Sequence, residues 1–180
     1  MKLYFVTGNK TKFQEVQSML PEIEQLDIDL PEIQEIDAKE IIKYKLQEAL
    51  NHVEGSFLVE DTSLYMDCLQ GLPGPLVKWF LKTIDNRGMA ELAEKLGNNK
   101  AQAKTIIGYA KSKEEPHFFE GVIQGTIAPP VGEYQFGWDP IFKPEGYEKT
   151  FAQMGSEEKS NISMRRLAVQ QLQEFLQNRK

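Results

Sequence analysis

Cysteine is almost missing from this chain: Cys68 is the single one in 180 residues. No intramolecular disulfide can form, and a lone thiol without an export pattern points to a reducing compartment, the cytoplasm. Long apolar runs are missing too, since no window approaches the ~18 consecutive apolar residues that a membrane span needs. The opening run, Met1-Lys2-Leu3-Tyr4-Phe5-Val6-Thr7-Gly8, is short, ends in glycine and is followed by lysine, which reads as a first strand and not as a signal peptide. Positive charge is in deficit. Lys and Arg number 21 against 27 Asp and Glu, giving a formal charge of -6 and a pI near 5.1, so a nucleic-acid polymer is not the expected partner. A few lysines converging on one site still suit a small anion. Histidine is sparse: His52 and His117 stand far apart, with no metal-ligand spacing and no cysteine partner, which excludes a zinc site and a histidine-based triad. Neither G-x-x-x-x-G-K-[ST] nor G-x-G-x-x-G occurs, so P-loop phosphotransfer and Rossmann dinucleotide binding are disfavoured. Carboxylate and lysine remain, the pairing suited to Mg2+ and phosphates.

What is present is an ordinary globular composition, 41% hydrophobic and 27% charged. A chain of this length buries roughly 70% of the surface its unfolded form exposes, enough for a core without crosslinks. Residues 2 to 7 read as a buried strand, and Phe13, Val16, Met19 and Leu20 then recur at helical spacing until Pro21. A strand is expected over 23 to 28. A helix carrying Ile41, Ile42, Leu46, Ala49, Leu50 and Val53 follows and is closed by Gly55, and a short strand covers 57 to 59. This alternation marks an α/β sheet with helices on its faces. Gly71-Leu72-Pro73-Gly74-Pro75 reads as a loop, and two helices lined by Leu76 to Ile84 and by Met89 to Leu96 come after it. Residues 104 to 109 and 118 to 127 alternate as an antiparallel pair joined through Glu114, Glu115 and Pro116, making the middle third an α+β insertion. The last regular element is a helix from about 163 to 177, with Ser163 as its candidate N-cap. Repeats and linkers are absent, so residues 1–180 read as one domain of two lobes.

Chemistry concentrates in few places. Thr7-Gly8-Asn9-Lys10-Thr11-Lys12 lies between the first strand and the first helix, where free N–H groups and the helix dipole can hold a phosphate; the plain alternative is a turn with solvated lysines. Glu60-Asp61-Thr62 follows the strand at 57 to 59, at the sheet end where α/β proteins place ligands, so Asp61 is a candidate to hold Mg2+ or orient water; the plain alternative is a solvated strand end with Thr62 in a turn. Glu32, after Pro31, is a weaker candidate for the same edge. Phe136-Gly137-Trp138-Asp139-Pro140 offers aromatic faces to stack a base and a carboxylate for its N–H groups, unless these aromatics belong to the core. Lys159, Ser163 and Arg165 precede and enter the last helix, where a basic residue opposes the dipole at a local cost and is a candidate to serve a ligand; the plain alternative is a basic surface patch with Arg166, Arg179 and Lys180.

These pieces in this order resemble the inosine triphosphate pyrophosphatase family, the nucleoside triphosphate pyrophosphatases that act on ITP, dITP and XTP. The resemblance runs through Thr7-Gly8-Asn9-x-x-Lys12-x-x-Glu15, Leu30-Pro31-Glu32, Val59-Glu60-Asp61-Thr62, Gly71-Leu72-Pro73-Gly74-Pro75 with Lys78-Trp79-Phe80, Phe136-Gly137-Trp138-Asp139-Pro140, and Glu158-Lys159 with Ser163-x-Arg165. It implies a single α/β domain of two lobes, an elongated mixed central sheet flanked by helices, and a cleft between the lobes. It also implies a Mg2+-dependent hydrolase that releases monophosphate and pyrophosphate, usually as a homodimer, and so cleanses the nucleotide pool. Carried over by motif, Thr7, Gly8, Asn9, Lys10, Thr11, Lys12, Lys45, Thr62 and Lys78 would hold triphosphate and sugar. Glu32 and Asp61 would hold metal, with Asp61 also taking the attacking water's proton and Lys12 serving catalysis beside it. Phe136, Gly137, Trp138, Asp139, Lys159, Met164 and Arg165 would form the base pocket, where arginine facing a 6-oxo group accepts hypoxanthine or xanthine and meets a donor on adenine.

One position departs from the family pattern. Ser163-Met164-Arg165 stands where most relatives read Ser-His-Arg, so a thioether that packs but scarcely hydrogen-bonds replaces a polar contact, and discrimination among 6-oxo purines is expected to loosen. The competing reading is a nucleotide-binding sensor on the same fold that does not turn its ligand over. Lys12, Glu32 and Asp61 speak against it, because a retired site is free to lose such residues.

Overall fold

Local sequence accounts for most of the elements. In the computed structural model, which describes residues 2–52, 54–112, 115–132 and 137–179, β1 (Leu3–Val6) is an apolar stretch that feeds directly into α1 (Lys10–Met19). Asn9 caps α1: its side chain accepts the Lys12 N–H at 3.0 Å, and helix formation can start there because an orphan donor is satisfied. After β2 (Ile23–Leu26) comes α2 (Ala38–His52), at whose head Asp37 accepts the Lys39 N–H at 2.8 Å. β3 (Ser56–Met66), the two-residue β4 (Pro73–Gly74), α3 (Val77–Thr83) and α4 (Asp85–Lys95) follow. β5 (Lys100–Lys111), β6 (His117–Ile127), β7 (Phe142–Pro144), α5 (Phe151–Ile162) and α6 (Met164–Gln177) complete the chain.

The strands form one sheet in the order β2-β1-β3-β5-β6-β7, with β4 on β3. β1 runs parallel to both β2 and β3, pairing Leu3 with Ile23 and with Ser56, while β4 and β7 run antiparallel to their neighbours β3 and β6. The sheet is therefore mixed, as expected of this α/β chain.

The chain divides into two compact units. The first comprises 1–61, 105–121 and 165–180, the second 62–104 and 122–164. In the first, the two faces of the sheet bury different cores: Phe5, Leu58 and Ile107 pack with Val16 of α1 and Ala168, Val169 and Leu172 of α6. Phe57, Val59 and Ile106 pack with Ile42, Leu46 and Ala49 of α2. Neighbouring residues of β3 thus alternate between faces, as a strand requires. The second unit has its own core, in which Leu64, Met66, Met89, Trp138, Phe142, Phe151 and Met164 meet.

Four expectations change. β3 does not stop at 59 but runs to Met66, so Glu60, Asp61 and Thr62 lie inside a strand and not beyond its end. The loop at 71–75 contributes a short strand, because Pro73 and Gly74 pair with Tyr65 and Leu64 where no N–H of proline is needed. β2 ends at Leu26. A helix, α5, occupies 151–162, where none was read; Thr150 and Gln153 close a capping box at its start, and Gly155, at φ 75°, kinks it and breaks the apolar period. Val53 and Glu114, read as helix face and turn, lie outside the described residues.

Candidate active site

In the first unit the site is built on the β1–α1 turn. The Thr7 backbone N–H donates to the Leu26 carbonyl at 3.2 Å and its own carbonyl accepts from Gln25 Nε2 at 2.8 Å, so the turn is tied to β2. Thr7 Oγ1 accepts the Asn9 N–H at 3.1 Å. Asp27 lies close against Gly8: a Cβ there would stand 3.0 Å from Asp27 Oδ1. Gly8, Asn9, Lys10 and Thr11 are exposed at the head of α1, the end of a helix where the dipole favours an anion.

Lys12 faces the sheet. Its Nζ lies 3.0 Å from Glu60 Oε1, and Glu60 in turn holds Arg165 by two bonds, from Nε to Oε2 at 2.7 Å and from Nη2 to Oε1 at 3.0 Å. Arg165 Nη1 donates to Glu15, one turn along α1 from Lys12. Burial penalises the Arg165 charge, but the Glu60 and Glu15 carboxylates outweigh that penalty and hold the guanidinium above its ordinary value. The local cost expected for a basic residue in the first turn of the last helix is offset in this way.

Asp61, half-buried, follows Phe57 and Val59 onto the α2 face of β3, opposite the face of Glu60. α2 carries Lys45, whose ammonium pairs with Glu32. Among the described residues no group of three or more His, Cys, Asp or Glu gathers around a metal-sized space. Glu32 and Asp61 each offer carboxylate oxygens, the donor chemistry that Mg2+ takes.

The second unit holds the other candidates. Trp138 is buried against Phe142 and Phe151, so it is a core residue here. Asp139 is sealed, and its Oδ2 accepts from Lys159 Nζ of α5 at 2.6 Å. Asn86 of α4 donates to the Gly137 carbonyl at 2.8 Å and steadies that turn. Met164 is part of the same apolar core, Thr62 is buried in β3, and Lys78 is exposed on α3 with its ammonium 5.8 Å from the Trp79 ring. Phe136 lies outside the described residues.

The structure therefore gathers Lys12 and Arg165 around one carboxylate, and Asp139 with Lys159 around another. It adds Glu60, Glu15 and Asn86, to which sequence reasoning gave no role. Period-two alternation along a longer β3 was the signal that separates Glu60 from Asp61.

A family model for the Ham1 family matches residues 3–175. The chain belongs to the Ham1 family. Relatives of this Ham1 chain include the inosine triphosphate pyrophosphatase of Schizosaccharomyces pombe, 42% identical over 99% of this chain and 96% of that protein. The dITP/XTP pyrophosphatase of Methanopyrus kandleri is 39% identical over 99% of this chain and 97% of its own length. The solved Staphylococcus aureus Ham1 protein matches with a TM-score of 0.84 at 28% identity, covering 99% of this chain and all of that one, 100%. The resemblance read from the motifs holds across the Ham1 chain.

Proposed function

We propose that residues 1–180 form a single nucleoside triphosphate pyrophosphatase domain that hydrolyses ITP, dITP and XTP to the monophosphate and pyrophosphate. The observation that carries the reading is the Thr7–Lys12 turn: an exposed, capped helix head beside which Glu60 holds a lysine in place. The names of the S. pombe and M. kandleri relatives support the substrate class.

In the reaction, water adds to the α-phosphorus, the bond from that phosphorus to the bridging oxygen of the β-phosphate breaks, and pyrophosphate leaves with the bond's electron pair. Asp61 accepts the water's proton. Lys12, Lys45 and the turn residues Thr7, Gly8, Asn9, Lys10 and Thr11 offset charge on the leaving group without covalent chemistry. Glu32 and Asp61 would hold Mg2+, which supplies further charge neutralisation on the phosphate oxygens. In this reading the base is recognised by the second unit, through the turn at Gly137 and the Asp139–Lys159 pair, while Trp138 and Met164 belong to that unit's core. A donor meeting the 6-amino group of adenine leaves buried polar groups mismatched, enough to reject ATP by up to roughly 10^4-fold. The enzyme works in the cytoplasm as a homodimer, cleansing the nucleotide pool.

The test is direct. Purified protein with Mg2+ is given ITP, dITP, XTP, GTP or ATP separately, and pyrophosphate and orthophosphate are assayed, with and without EDTA. Pyrophosphate from ITP, dITP or XTP, little from ATP, and silence in EDTA are expected. Orthophosphate alone, or no product in any lane, rejects the reading.

A further inference from the structure

Lys12 lies in the first turn of α1 and Arg165 in the first turn of α6. A positive charge there opposes the helix dipole, a local cost that a nearby carboxylate offsets. Both find the same one. Glu60 Oε1 lies 3.0 Å from Lys12 Nζ and accepts Arg165 Nη2 at 3.0 Å, while Oε2 accepts Arg165 Nε at 2.7 Å. With Glu15 on Arg165, the cluster holds two cations and two carboxylates and is neutral as a unit. Its members are unequally buried: the side chains of Glu60 and Arg165 are 2% and 3% exposed, and that of Lys12 is 19% exposed.

Resting on the pyrophosphatase reading, we infer that Glu60 is a positioning residue: its sealed carboxylate anchors the Lys12 ammonium beside the phosphate-holding turn. The adjacent Asp61 plays a different part from the opposite face of β3. A buried ionic cluster is a poor device for stability alone, because apolar residues of the same volume commonly serve a core as well or better. Its distinctive product is geometry. The fork of Arg165 fixes both oxygens of Glu60, and the fixed oxygen then fixes the lysine.

The test is a double-mutant cycle on pyrophosphate release from ITP with Mg2+, using wild type, Lys12→Ala, Glu60→Gln and the double variant. Glu60→Gln is expected to lower kcat/KM by about 10^2-fold, the scale of a misplaced catalytic group, and to raise KM. In the Lys12→Ala background the same change is expected to add less than about twofold, because the group it positions is already gone. Glu60→Asp keeps the charge on a shorter stem and is expected to restore part of the loss. It also replaces Glu60→Gln in the cycle if circular dichroism shows that variant unfolded. Full multiplication of the two losses, or a wild-type KM and kcat in Glu60→Gln, overturns the role of Glu60 while leaving the pyrophosphatase reading intact. A wild-type chain that releases no pyrophosphate from ITP, dITP or XTP overturns the hydrolase reading and this role with it.

Discussion

Lys159 and Asp139 are both closed off from solvent, at 8% and 0% side-chain exposure, and their 2.6 Å contact joins α5 to the turn before β7. Breaking such a pair from one side strands a charge in a low-dielectric interior. Asp139→Asn is therefore expected to cost about 3–5 kcal/mol in urea unfolding, and Asp139→Leu with Lys159→Met to regain much of that loss. Arg165 behaves differently toward pH. Its folded-state value is raised, so the stability it lends is complete below its unfolded-state value and is lost only as pH climbs through the raised one, beyond the alkaline range of ordinary assays. At this scale residue types were legible and partners were not. Asp61 was singled out from sequence and Glu60 beside it was passed over, because two adjacent carboxylates look alike until a strand turns them to opposite faces. Trp138 could be read as a stacking face or as core, and its contacts with Phe142 and Phe151 make it core.

Elements were legible where apolar spacing is regular and punctuation is plain, as for α1, α2, α4 and α6. α5 escaped because Gly155 interrupts its period, although Thr150 and Gln153 spell a capping box at its start. β3 was cut short at 59 because charge in Glu60 and Asp61 reads as a strand end. The strand continues because the basic side chains of α1 and α6 neutralise Glu60. Close approach of α2 to the sheet depends on one glycine in β5. A Cβ at Gly108 would stand 2.2 Å from Ile42 Cγ2 and 2.9 Å from Leu46 Cδ1, so the helix and strand cannot both keep their places. Gly108→Ala is expected to destabilise the fold by about 1–3 kcal/mol, read as a lowered thermal midpoint; an unchanged midpoint means that α2 has room to shift.

On the scale of the whole molecule, the formal charge is -6, and Lys10 stands exposed at the head of α1. Among the described residues no helix is long and apolar enough to cross a membrane. β3, β5 and β6 each contribute residues to both compact units, passing from one to the other at 61–62, 104–105 and 121–122. The homodimer belongs to the proposed function. Sedimentation equilibrium is expected to give the mass of two 20.6 kDa chains, and a species of one chain mass at assay concentrations removes dimerisation from the reading.

The sequence by itself determined the family, the α/β class, the order of most elements and the turn that heads α1. Each of these rests on local information: apolar period, glycine and proline punctuation, a capping asparagine, and motifs in a set order. Only the tertiary structure decided which charges meet. Arg165 finds Glu60 across a separation of 105 residues and Glu15 across 150. Such pairing depends on how α1 and α6 pack against one and the same face of β3. Local spacing cannot specify it, because a side chain's partner is set by the helices laid over its strand and not by its neighbours in the chain.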